Sequence, residues 1–122
     1  MKKIFLLTAL LTYNSVFAAG QMDARKAQAI VEATNDEVAD CRSKVEKYLT
    51  DEPEKVIPCL EKISDIFEDG SDFETAGQYL TSMTKEEIDD MSIEDLQKIL
   101  DSIKEIDKNR EYIAHRLERW VK

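Results

Sequence analysis

Histidine occurs once in this chain, at His115, proline twice and glycine three times. One imidazole cannot furnish a Cys2His2 zinc set or a family of histidine relays. So few glycines leave no glycine-rich loop to cradle a phosphate and no collagen-like repeat. Basic residues are also short, 17 Lys and Arg against 26 Asp and Glu, a net charge of -9. A duplex nucleic-acid binder that neutralises phosphates is therefore not expected. The 43% apolar content nevertheless argues against a disordered chain, and 122 residues leave no room for a second full-size domain.

The first 18 residues read as a targeting segment and not as part of the fold. Lys2 and Lys3 precede the apolar run Ile4 to Leu11, and Val16, Phe17 and Ala18 offer a cleavage site with small or short residues at its recognition positions. These are the three parts of a secretory signal peptide. Thr12, Asn14 and Ser15 interrupt the apolar run, which is too short for a spanning helix of about 20 residues. No Cys follows the run to carry a lipid. The expectation is export with cleavage after Ala18, to the periplasm in a two-membrane bacterium, with no stable membrane insertion afterwards. Residues 19–122 then form one all-α domain, and loss of Lys2 and Lys3 takes the net charge to -11.

Helical periodicity dominates what remains. Ala24, Ala27, Val31, Thr34, Val38, Cys41, Val45 and Tyr48 follow at steps of three and four, the spacing of one helix face. This first long helix must stop near Thr50 and Asp51, because Pro53 disfavours helical geometry at Glu52 and is tolerated only in a first turn. Val56, Leu60, Ile63 and Phe67 mark a second helix ending at Gly70, with Pro58 at its proper start or kinking it one turn in. Ser71 with Glu74, Thr84 with Glu87 and Ser92 with Asp95 each place a carboxylate three residues after a hydroxyl, the capping-box spacing. They predict two short helices, about residues 72–82 and 85–90, before a long final one. The face of the last helix is Leu96, Ile99, Ile103, Ile106, Arg110, Ile113, Leu117 and Trp120. The predicted architecture is a small all-α helical bundle with two long helices and two or three shorter ones.

Cys41 and Cys59 lie equidistant from residue 50, where the chain is expected to reverse. At about 1.5 Å per residue each lies roughly 13 Å from the bend, so an antiparallel pair brings them level. One intramolecular disulfide is predicted. Their spacing is not C-x-x-C and no nearby His completes a zinc set.

No catalytic residues are assigned. Glu111 and Glu118 flank His115, but the imidazole falls off the apolar face and the Glu-x-x-His spacing of a di-metal bundle is missing. Asp65, Asp69, Gly70, Asp72 and Glu74 resemble a calcium loop only until Gly70 is set at the sixth position. Phe67 then stands at the third ligand position and Ala76 where a bidentate Glu belongs. No metal and no cofactor are expected.

Charge carries more. Asp65, Glu68, Asp69, Asp72, Glu74, Glu86, Glu87, Asp89, Asp90, Glu94 and Asp95 surround a single base, Lys85, whereas residues 108–122 carry five bases against Glu111 and Glu118. Helix dipoles account for the C-terminal bases but only for some of the acids. An acidic surface of this density attracts a cationic partner, and these 11 residues are the candidate partner-binding set. Arg110, which breaks the final apolar face, is the candidate register or interface residue, with Asp36 or Glu37 as its expected counter-ion. The function that follows is a non-enzymatic binding module, of inhibitor or immunity type, presenting an acidic face to a basic protein. The alternative is a periplasmic holdase or a structural subunit of an envelope assembly.

Overall fold

The computed structural model describes residues 22–121; the proposed signal segment lies outside the described residues. Five α-helices lie among the described residues, α1 (Ala24–Tyr48), α2 (Ile57–Ile66), α3 (Asp72–Thr81), α4 (Lys85–Asp90) and α5 (Ile93–Val121), with a 3-10 turn at Pro53–Lys55. No strand occurs among the described residues.

α1 is the hub against which α2, α3 and α5 all pack. Its buried line is Ala27, Val31, Thr34, Val38, Cys41 and Val45. Small and β-branched residues on that line let three neighbours approach closely, and each fully buried Val contributes on the order of 1.5–3 kcal/mol. Asp23 starts the helix, its carboxylate accepting from the Lys26 N–H at 2.8 Å. The chain then turns through Pro53, and α2 begins at Ile57 with Pro58 in its first turn, where the missing N–H costs nothing. Pro58 therefore opens α2 and does not kink it.

The direction of each helix follows from its contacts. Cys41–Cys59, with Cα atoms 5.4 Å apart, and Glu37–Lys62 at 2.8 Å run α2 antiparallel to α1. Gly70, at φ 83°, breaks the descending arm, a conformation that glycine adopts without steric penalty. α3 continues the descent, carrying Phe73 beside Ile30 and Thr34 and Tyr79 down to Ala24. α4 turns the chain and α5 rises again. Gln28 Nε2 reaches Asp95 Oδ1 (3.3 Å), Asn35 Nδ2 reaches Glu105 Oε1 (2.9 Å) and Arg42 Nη1 reaches Asn109 Oδ1 (2.8 Å). The nearly constant offset makes α1 and α5 parallel. The bundle is thus an up–down–up arrangement whose middle arm is broken in two.

All three hydroxyl–carboxylate pairs sit at helix starts, but only one closes a full box. Thr84 and Glu87 satisfy each other reciprocally. Ser71 accepts from the Glu74 N–H, while the Glu74 carboxylate accepts instead from the Gly70 N–H at 2.8 Å. Ser92 accepts from the Asp95 N–H, and the Asp95 carboxylate turns to Gln28.

The buried line of α5 is Ile99, Ser102, Ile106, Asn109 and Ile113, so the helix is rotated from the face expected of it. Leu96, Ile103 and Leu117 flank that line half-buried, and Trp120 is 51% exposed at the helix end. Arg110 does not pair with Asp36 or Glu37. The parallel register sets it about level with residues 40–43 of α1, and Glu37 is already held by Lys62. The Arg110 guanidinium lies instead over the Phe67 ring, 3.8 Å from its centroid, and Phe67 meets Phe73 edge-on at 5.0 Å.

Candidate functional site: an acidic face along the descending arm

The 11 candidate carboxylates divide by what they do. Glu74, Glu87 and Asp95 are structural. Glu74 holds the Gly70 turn, Asp95 accepts from Gln28, and Glu87 accepts from both the Thr84 N–H (2.9 Å) and the Tyr79 hydroxyl (2.7 Å). The Thr84 backbone N–H, followed by the Tyr79 hydroxyl, holds the Glu87 carboxyl below its ordinary range. The same bond to Glu87 raises the Tyr79 phenol.

The other eight, Asp65, Glu68, Asp69, Asp72, Glu86, Asp89, Asp90 and Glu94, have no ion pair and no side-chain hydrogen bond. All eight are exposed. The four ion pairs among the described residues are Arg42–Glu46, Lys44–Asp40, Lys55–Glu52 and Lys62–Glu37. None takes a carboxylate from the candidate set. The negative charge of α3, α4 and the adjoining turns is consequently held in no salt bridge, with Lys85 the single base among the 11, and its field reaches about 10 Å into solvent at moderate salt.

Two groups emerge from the positions. Asp65, Glu68, Asp69 and Asp72 gather at the α2–α3 break, around a cleft of about 580 Å³ that also reaches Ile30, Ala33, Thr34, Glu37, Lys62, Ile66 and Phe73. Glu86, Asp89, Asp90 and Glu94 belong to α4 and the start of α5, beside Ile88 and Ile93, which are 42% and 82% exposed. Among the described residues no three His, Cys, Asp or Glu converge as a metal set. The Asp65–Glu74 segment spends its carboxylates outward or on backbone caps.

The opposite end has a different character. Arg42 donates to Asn109, lies 4.2 Å over the Tyr112 ring and reaches Glu46, while Arg116 Nη1 donates to the Tyr112 hydroxyl at 2.9 Å. Arg116 and Arg119 border Leu49, Thr50 and Trp120. His115 is exposed there, off the packed face. Sequence periodicity alone missed the Arg42–Asn109 bond, because Asn109 falls between the apolar residues of α5. Its separation of seven from Ser102, in phase with Ile99, Ile106 and Ile113, is the signal that marks the true facing line.

A second groove, of about 290 Å³, separates α2 from α5 and is lined by Leu60, Ile63, Ser64, Arg110, Ile113, Ala114 and Leu117. Arg110 lines it while its guanidinium caps the Phe67 ring. Comparison of the chain with protein-family models, with curated proteins and with solved structures finds no match in any of the three.

Proposed function

We propose that this chain is an exported, non-enzymatic protein-binding module that presents the acidic face of α3, α4 and the adjoining turns to a basic protein. An inhibitor or immunity-type protein, which blocks a basic effector by covering it, is the role this chemistry suits. The observation that carries the reading is the set of eight exposed carboxylates with no ion pair and no side-chain hydrogen bond, in a stretch whose single base is Lys85. First-turn positions favour Asp72, Glu86 and Glu94 through the helix dipole, but Asp65, Glu68, Asp69, Asp89 and Asp90 lie outside any first turn and gain no such stabilisation. Ile88 and Ile93, neighbours of these carboxylates in the chain, are exposed and available for apolar contact, and a binding surface needs desolvated anchors as well as charge. The Cys41–Cys59 bridge and the leader-like residues 1–18 support an oxidising destination such as the periplasm.

The test is capture from envelope extract at low salt, with the bound protein identified by mass spectrometry. A basic protein is expected, released as salt rises and lost when Glu86, Asp89 and Asp90 are changed together to Gln, Asn and Asn. Capture indifferent to both salt and neutralisation contradicts the reading.

A further inference from the structure

The cleft at the α2–α3 break combines apolar and acidic lining in one cavity. Ile30, Ala33, Ile66 and Phe73 supply the apolar part, Asp65, Glu68, Asp69 and Asp72 the acidic part, and Glu37 and Lys62 line it too. Thr34 also lines it, and Thr34 is only 5% exposed. Its hydroxyl has no hydrogen-bond partner, not even the carbonyl one turn back that helical threonines commonly use. The one side-chain oxygen sealed from solvent without a partner among the described residues is Asn35 Oδ1. The Thr34 oxygen is therefore not sealed from solvent, and its residue lines the cleft. Bonded to nothing within the chain, that hydroxyl can accept from a ligand donor.

We infer that this cleft is an anchor pocket for a lysine side chain presented by the basic partner, and the inference rests on the proposed function. The aliphatic stem of lysine lies along the apolar lining while its ammonium, with three donors and no acceptor, meets the Thr34 hydroxyl and the lining carboxylates. The chain already demonstrates this chemistry in place. Lys62 sets its ammonium against Glu37 at 2.8 Å in the cleft lining, which spends Glu37 and leaves the four remaining carboxylates for a cation from outside. Because no three acidic groups converge on a point, the site suits a cation on a flexible stem better than a bare metal ion.

Titration of the purified protein with an acetylated trilysine amide at low salt, followed by backbone amide NMR shifts, tests the pocket. Shifts are expected to centre on Thr34, Gly70 and Phe73. The triple change Asp65→Asn, Glu68→Gln, Asp69→Asn is expected to weaken binding about tenfold, against less than about threefold for the equally charged change Glu86→Gln, Asp89→Asn, Asp90→Asn. Lys62→Met, which frees Glu37, is expected to tighten binding, and Thr34→Val to weaken it. Equal weakening by the two triple variants overturns the pocket while leaving the acidic-face function intact; low-salt capture of the partner reports on that function separately. No effect of Thr34→Val, no tightening by Lys62→Met, or tighter binding of spermidine than of the peptide also overturns the assignment, the last in favour of a free polyamine. Circular dichroism of each variant separates loss of binding from loss of fold.

Discussion

Removal of the Cys41–Cys59 bridge is the perturbation whose magnitude follows most directly from the architecture. The bridge spans a sequence separation of 18 and joins the end of the ascending helix α1 to the beginning of the descending helix α2. Closing a loop of that length in the unfolded chain stabilises the fold by about 3 kcal/mol. With an unfolding entropy of about 2.1 cal/mol/K per residue, a domain of roughly one hundred residues loses about 15 °C in Tm for that change. α5 and α3 pack on α1 independently of α2, so the reduced protein should remain helical at room temperature. The assay is far-UV circular dichroism on heating, oxidised against reduced. The double variant Cys41→Ala, Cys59→Ala serves as control, since Cys41 is fully buried and a Ser there would bury an unpaired hydroxyl. A Tm change below about 5 °C, or two titratable thiols in protein purified without reductant, would refute the reasoning.

Three further outcomes are expected. Asn109→Ala removes the acceptor for Arg42 Nη1 and should cost about 1–2 kcal/mol in urea unfolding, with the Arg42→Ala, Asn109→Ala cycle showing coupling between the two. Because the Thr84 N–H and the Tyr79 hydroxyl hold the folded Glu87 carboxyl below its ordinary range, the stability it adds is complete above the unfolded carboxyl value of about 4.3. It is lost as pH falls through the lower folded value. Glu87→Gln should remove that contribution, flattening the acid limb of a Tm-against-pH curve. Gly70→Ala meets no neighbouring atom but forces an L-residue to φ 83°, so a destabilisation of about 1–2 kcal/mol is expected from backbone strain alone; an unchanged Tm contradicts that.

Local signals in the sequence carried the helices and their ends. The three-and-four spacing from Ala27 to Val45 is the buried line of α1, Pro53 sits in the turn where the chain reverses, and Ser71 and Thr84 cap the helices that follow them. The disulfide was legible for the same reason, since two residues equidistant from a bend come level whatever else the chain does. Beyond that bridged pair, the direction and register in which the helices pack were not legible. A periodic face specifies burial but not the partner that buries it, so the parallel register of α1 with α5 entered only through pairs such as Arg42 and Asn109. Arg110 was misplaced accordingly: on the helix wheel it belongs to the apolar stripe, yet the rotation imposed by Ser102 and Asn109 turns it outward onto Phe67. The acidic density was plain in composition, but its division into three hydrogen-bonded carboxylates and eight uncommitted ones required the hydrogen bonds. Thr34 read as one more small residue of a helix face, and only the break between α2 and α3 opens a cleft above it.

The central claim is that the uncommitted carboxylates meet another protein's positive charge. Its most direct measurement is in-cell crosslinking from photoreactive residues placed singly at Asp69 and Asp89, with Glu46 as a distant site, followed by mass spectrometry of the adducts. The account predicts one recurrent basic protein joined at 69 or 89 and missing at 46. Adducts equally frequent at all three positions, or a recurrent partner that is itself acidic, would contradict it.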